Sequence, residues 1–372
     1  MAYILEYIWL DGYAKEKIND VANLRSKIKV VTNLINDTSI NNVNSKDLSF
    51  KEKIYNFVCS RPEIIPKWSF DGSSTMQAEG NKSDCVLSPV FVCRNTIDQY
   101  NDNDLSFFVL CEVLNPDGTP HATNTRQSMI ESTNKYKHQE MWFAFEQEYA
   151  LFNEKGNWPH AWPLDGYPSP QGRYYCGVGA DVSFGRQVMS DHLKHTLSSG
   201  LPISGTNAEV MPSQWEFQIG PGTAPFIADQ MWMARYILNR VAEKHNVTVK
   251  LSPKPMSGDW NGTGCHVNFS NSQMREKLTQ EDINKISNAL EKNHKEHIEV
   301  YGEGNDRRLT GRHETCSIHE FRIGESDRGA SIRIPPGILQ AQKGYLEDRR
   351  PAANIDPYQV CKAILETVCS LY

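Results

Sequence analysis

Over the first 113 residues the apolar side chains come in short runs that suit strands, and turn-forming residues punctuate them. Tyr3–Leu10 reads as a strand closed by a turn at Asp11 and Gly12, and residues 23–31 as a second strand with basic outward positions. Residues 86–94 and 107–113 read as further strands on either side of a polar loop. Residues 68–80, WSFDGSSTMQAEG, form a glycine- and serine-rich loop leaving a short strand. Little helix is expected in this part. The run 36–49, NDTSINNVNSKDLS, holds too few apolar residues to pack and reads as a disordered surface insertion.

Beyond Gly118 the period lengthens. Residues 124–137 take a helical spacing through Met129, Ile130 and Thr133, and 186–199 a helix stopped by Gly200. A long amphipathic helix is predicted over 225–245, from Ile227, Met231, Ala234, Leu238 and Val241. Another is predicted over 281–300, through Ile283, Ile286, Leu290 and Ile298. The last helix opens with Asp356 as cap and Pro357 in its first turn. With strands between these helices the fold class is α+β: a small strand-rich domain, 1–117, then a larger domain, 118–372.

Composition narrows the function classes. The formal net charge of −6 leaves no basic excess for neutralising phosphates of nucleic acid. Nine cysteines without a CxxC pair fit reduced thiols in a cytoplasmic compartment. The opening run MAYILEYIWLDG has no basic start and carries Glu6, so it does not read as a signal peptide, and no apolar run reaches membrane-spanning length.

Chemistry collects on one-sided strands. In GTNAEVMPSQWEFQIGPG, from Gly205, the carboxylates Glu209 and Glu216 flank Pro212, which opposes a helix and favours strand, turn, strand. Trp215, Phe217 and Ile219 then alternate with Gln214, Glu216 and Gln218. In FAFEQEYAL, Glu146 and Glu148 share one side of a strand, with Phe143, Phe145, Gln147 and Tyr149 on the other. His266, Asn268 and Ser270 alternate with Val267 and Phe269, and Arg333 opposes Ile332 and Ile334. Each of these faces alone could be a solvated sheet surface. Together, carboxylates with one imidazole suit Mg²⁺ or Mn²⁺, and the arginines of NDRRLTGR and 328–333 suit phosphate or carboxylate. That is an inventory for phosphoryl transfer from a nucleotide, although no P-loop and no GxGxxG fingerprint is present.

The motifs WSFDGSST, FEQEY, YYCGVGAD, GTNAEVMPSQWEFQIGP, GDWNGTGCHVNFS, KEHIEVYGEGNDRRLTGRHET, RGASIRIP and GYLEDRRPAANIDPY, in that order, resemble glutamine synthetase of the eukaryotic type (class II). The resemblance implies an amino-terminal β-grasp domain and a catalytic domain built on a curved antiparallel sheet with flanking helices. It implies ATP-dependent ligation of ammonia to L-glutamate, giving L-glutamine, ADP and phosphate through a γ-glutamyl phosphate. Two to three Mg²⁺ or Mn²⁺ ions per site are implied. Glu148, Glu209 and Glu216 match the ligands of the ion nearer glutamate, and Glu146, His266 and Glu347 those of the ion on the nucleotide. Arg308, Arg328 and Arg333 match residues that hold phosphate oxygens, and Arg349 one that holds substrate carboxylate. Asn261 and Gly262 match the glutamate-binding loop, Ser270 lies near the nucleotide, Glu314 matches a flap carboxylate, and Asp71 matches the ammonium site. A cytoplasmic decamer of two pentameric rings, with sites shared between subunits, is implied as well.

Glu79 and Pro336 depart from the family's usual residues, and the insertion at 36–49 lengthens the first domain. A relative that ligates a polyamine instead of ammonia is the second reading; Asp71 and Glu314, which suit a small trapped cation, weigh against it. A catalytically dead scaffold is the third, and it conflicts with ligating residues standing at all six metal positions.

Overall fold

The structure is a computed structural model that describes residues 1–14, 22–35, 49–98 and 100–372. The run 36–49 thus lies outside the described residues except for Ser49, whose hydroxyl accepts the Glu52 amide and caps the first helix. The chain forms two compact units, Met1–Gln127 with Lys194–Leu201 and Ser128–Leu193 with Pro202–Tyr372.

The first unit holds strands β1 (Tyr3–Leu10) and β2 (Leu24–Val31), helix α1 (Phe50–Cys59), and strands β3 (Trp68–Asp71), β4 (Asp84–Arg94) and β5 (Leu105–Leu114). The strands make one sheet in the order β2-β1-β5-β4-β3, with β1 and β5 parallel at its centre. Alternate residues explain the packing. Tyr3, Leu5, Tyr7 and Trp9 of β1 join Leu105, Phe107 and Val109 of β5 in one core, and Ile54 and Val58 of α1 close over it. A mixed sheet with a helix across one face is the arrangement expected of a β-grasp. Helix α1 stands in a part where little helix is expected from the sequence. Ile54 and Val58, four residues apart, face the core, with Tyr55, Phe57 and Cys59 packed beside them.

Chain order continues with α2 (Thr125–Lys135), β6 (Trp142–Asn153), α3 (Arg186–Ser198), β7 (Ile203–Ala208), β8 (Gln214–Thr223) and α4 (Phe226–Lys244). Then come β9 (Val247–Lys250), β10 (Cys265–Ser270), α5 (Gln280–Lys292), α6 (His294–Val300), β11 (Ile323–Glu325), β12 (Ile332–Ile334), β13 (Leu346–Asp348) and α7 (Pro357–Cys369). The large sheet runs β11-β12-β13-β10-β6-β8-β7, with β9 also on β6. Its pairs are antiparallel apart from β11 with β12. Register shifts where β8 meets β6 and β7 help curl it.

Helix α4 packs on β6, β8 and β9 and buries all five of its expected core positions. The helix expected over 281–300 is two helices, α5 and α6, broken at Asn293. Its backbone leaves the helical region there, at φ −96° and ψ 13°, while its N–H and its side-chain amide both donate to the Ala289 carbonyl, at 3.2 and 2.9 Å. Helix α7 packs on α4, α5 and α6. No described helix is long and apolar enough to cross a membrane.

Candidate active site

Antiparallel register lines the polar side chains of the large sheet into three neighbouring rows. Glu148 of β6 stands opposite Glu216 of β8, which stands opposite Asn207 of β7. In the next row His266 of β10 faces Glu146 of β6, which faces Gln218 of β8. In the third, Asn268 of β10 faces Glu347 of β13, which faces Arg333 of β12. The period of two sends Phe145, Tyr149, Trp215, Phe217, Ile219, Val267 and Phe269 into the core behind.

These rows bring two sets of ligand atoms together, Glu146 with Glu216 and His266, and Glu148 with Glu209 and Glu216, the atoms of each set within 4.8 Å of one another. Glu347, expected beside Glu146 and His266, lies 3.7 Å from His266 Nδ1, but both its oxygens are engaged, by Arg333 Nη1 and Arg349 Nη1 at 2.6 Å each.

Packing carboxylates together out of water is unfavourable, and the acidities record it. Burial, reinforced by Glu146, Glu209 and Glu148, raises Glu216 well above the usual carboxylate range. Burial and Glu148 push Glu209 up to about 8. Burial also raises Glu148, against the opposing pull of Arg308. His266 goes the other way: burial, then Arg349, hold it well below its ordinary value, so the imidazole is neutral. Its buried Nδ1 has no hydrogen-bond partner and points between Glu146 and Glu347, 3.5 Å from Glu146 Oε2. Mutually repelling carboxylates beside an orphaned neutral imidazole nitrogen fit a hard divalent cation.

Arg308 lies buried at the edge of this cluster. Its guanidinium donates to the carbonyls of Arg349 and Arg350 at 3.0 and 3.2 Å, and Nη2 is 3.2 Å from His266 Nε2. Burial brings its pKa down to about 10. Glycines make room for it. A Cβ on Gly264 would sit 2.5 Å from Arg308 Nη2, and one on Gly262 would sit 2.8 Å from its Cγ. Arg349 is buried as well, whereas Arg328 is exposed and gives its carbonyl to Arg349 Nε. Ser270 is buried on β10, its carbonyl taken by Arg275, whose guanidinium lies 3.9 Å over the Trp142 ring.

Two loops meet the sheet from the same unit. Asn261 exchanges hydrogen bonds with Gln171, giving its N–H to Oε1 at 2.9 Å and accepting from Nε2 at 2.7 Å. Glu314 is exposed, yet its charge helps raise Glu209. Glu314 and His313 both hold left-handed backbone, φ +61° and +52°, at a cost of about 1–2 kcal/mol each. Asp71 belongs to the first unit, where Ser73 and Ser74 donate to its oxygens at 2.6 Å and hold its pKa down.

Sequence reading gave no role to Gln147, Gln171 or the amides Asn207, Gln214, Gln218 and Asn268. For Gln214, Gln218 and Asn268 the signal was available, since the first two share parity with Glu216 and Asn268 shares it with His266. Gln147 had a different one, a polar residue on an otherwise apolar strand face. Its side-chain oxygen accepts from Arg235 Nε and Nη2 at 2.9 and 2.6 Å. Gln171 sits in a loop without periodicity, and no pattern marks it.

The comparisons with known proteins agree in direction. Residues 122–294 match the family model described as glutamine synthetase, catalytic domain. The chain is similar to a glutamine synthetase of Streptomyces viridochromogenes, 46% identical over 100% of this chain and 98% of that protein. It is similar to one of Candida glabrata, 46% identical over 98% of this chain and 88% of that one. It is also similar to glutamine synthetase cytosolic isozyme 1-1 of Oryza sativa subsp. japonica, 43% identical over 98% and 93%.

Proposed function

The chain belongs to the glutamine synthetase family, and from that premise we propose how its residues divide the work of ligating ammonia to L-glutamate at the expense of ATP. It is a glutamate–ammonia ligase. The observation that carries the residue assignment is the pair of ligand sets on one sheet face, joined by Glu216.

Glu148, Glu209 and Glu216 would hold one divalent cation, and Glu146 and His266 a second, joined by Glu347 from between Arg333 and Arg349. Bound there, Mg²⁺ or Mn²⁺ would offset negative charge on the γ-phosphate and on the substrate carboxylate that attacks it. Arg308, Arg328 and Arg333 hold phosphate oxygens as the γ-glutamyl phosphate forms. Arg349 and the loop at Asn261 and Gly262 hold glutamate, and Ser270 lies by the nucleotide. Glu314 closes over the acyl phosphate and keeps water from it. Asp71 holds ammonium and takes a proton from it, which frees the nitrogen lone pair for attack. Residues 1–117 form the domain that carries Asp71, and 118–372 the catalytic domain. The assembly is a decamer of two pentameric rings, and it works in the cytoplasm; the rice relative's name calls that protein cytosolic.

The test is phosphate release from ATP with glutamate and each of two amines. Ammonia should support turnover and a polyamine should not. Turnover with the polyamine alone would replace the ammonia assignment.

A further inference from the structure

Each of the four glutamates in the two ligand sets carries a side-chain carboxamide on one oxygen. Asn268 donates to Glu146 Oε1 at 2.8 Å and Gln214 to Glu148 Oε2 at 2.9 Å. Asn207 donates to Glu209 Oε1 and Gln218 to Glu216 Oε1, both at 2.8 Å. Two of the pairs show what this does to the opposite oxygen. Glu146 turns Oε2 to within 3.5 Å of His266 Nδ1. Glu148 gives Oε2 also to the Gly264 amide, at 2.8 Å, and turns Oε1 to within 3.9 Å of His266 Nε2.

Glu347 is the contrast, because guanidiniums rather than amides take its oxygens. A guanidinium neutralises the carboxylate that it orients, whereas an amide orients it and leaves its charge available. The acidic partner also fixes which way the amide faces. At Gln214 the NH₂ goes to Glu148 and the Gly262 carbonyl while Oε1 stays buried without a partner. Room is kept for Gln218 by Gly205, where a Cβ would come within 2.9 Å of Gln218 Oε1.

We propose that Asn207, Gln214, Gln218 and Asn268 are positioning residues: a ring of neutral donors that turns one oxygen of each glutamate toward the cations without competing with them. This rests on the cation reading above. The test is Mn²⁺ titration of the full chain, stripped of metal beforehand, by electron paramagnetic resonance of free Mn²⁺. Asn207→Leu and Gln214→Met should weaken, about 10- to 100-fold, the ion that Glu209→Gln removes. Asn268→Leu should weaken by the same factor the ion that Glu146→Gln removes. Thermal midpoints should fall further in Mn²⁺ than in chelator, whereas a merely structural role would lower both alike. Gly205→Ala, which displaces Gln218 without removing a polar group, should weaken both ions through Glu216, and it decides the matter if the amide variants do not fold. Wild-type Mn²⁺ affinity in the amide variants that fold, or in Gly205→Ala, overturns the ring. Wild-type affinity in Glu146→Gln and Glu209→Gln overturns the cation reading, and the ring falls with it.

Discussion

Glu216 is the residue common to both ligand sets, and its removal should separate folding from catalysis. Glu216→Ala should abolish turnover and leave the metal-free thermal midpoint unchanged or higher, because a repelling buried carboxylate is gone. Near wild-type turnover at limiting metal would withdraw the assignment. The same repulsion gives a pH signature. Glu209 titrates at about 8 in the fold against a usual 4.5, so the native chain keeps a proton that the unfolded chain has lost. Stability contributed by this group is present below about pH 4.5 and is lost as pH rises to about 8. His266, lowered from 6.5, works oppositely and has finished doing so above about pH 6.5. The metal-free midpoint should therefore fall between about pH 6.5 and 8.5, with Mg²⁺ restoring more of it at the upper end. Calorimetry in chelator showing a flat or rising midpoint would refute this. At Glu314, replacement by Ala should leave ATP hydrolysis but spoil its coupling to glutamine, read as phosphate in excess of glutamine; equal yields would end the flap reading. Of this chemistry, the alternation at Glu146, Glu148, Glu216 and His266 was legible in the sequence because pleat parity is local. The engagement of Glu347 by two arginines was not, because it depends on register among β10, β12 and β13.

Elements were most legible where one face is plainly apolar. Helix α4 and the strands around Glu146 and Glu216 stand where their periods put them. Helix α1 stands in a part read as strands, and the break at Asn293 was missed because the apolar period through Ile283, Ile286, Leu290 and Ile298 runs on across it. Gln147 shows a third limit, that a polar residue on a core face takes its meaning from another element. Arg235 of α4, fully buried, binds Gln147 and also donates to the carbonyls of Ala353 and Ile355 at 2.9 and 2.7 Å. It fastens the strand between Glu146 and Glu148 to the segment after β13. Arg235→Met should cost on the order of 2 kcal/mol or more, since Gln147 Oε1 and the Ile355 carbonyl lose their donor at roughly 1–3 kcal/mol each, while the Ala353 carbonyl keeps Gln147 Nε2 at 3.1 Å. Urea unfolding checks it, and a change under 1 kcal/mol would show that the clamp is idle.

At the scale of the molecule, Asp71 stands in the first unit and all six metal-ligand candidates in the second. If the proposed rings share their sites between subunits, Asp71→Asn and Glu216→Gln, each inactive alone, should regain part of the activity when coexpressed, since some interfaces then unite two intact residues. Verified mixed assemblies without activity would place both residues in one subunit's own site. The order of strands has a consequence of another kind. β13 is set between β12 and β10 near one end of the sheet, yet it is drawn from residues 346–348. On a translating ribosome β10 emerges long before its neighbour, and Arg235 precedes by 118 and 120 residues the carbonyls it will hold. Until then the nascent sheet ends in an unpaired edge beside a buried-to-be cation. A product of interrupted synthesis thus advertises itself as unfinished, by an open hydrogen-bonding edge that chaperones and proteases can read.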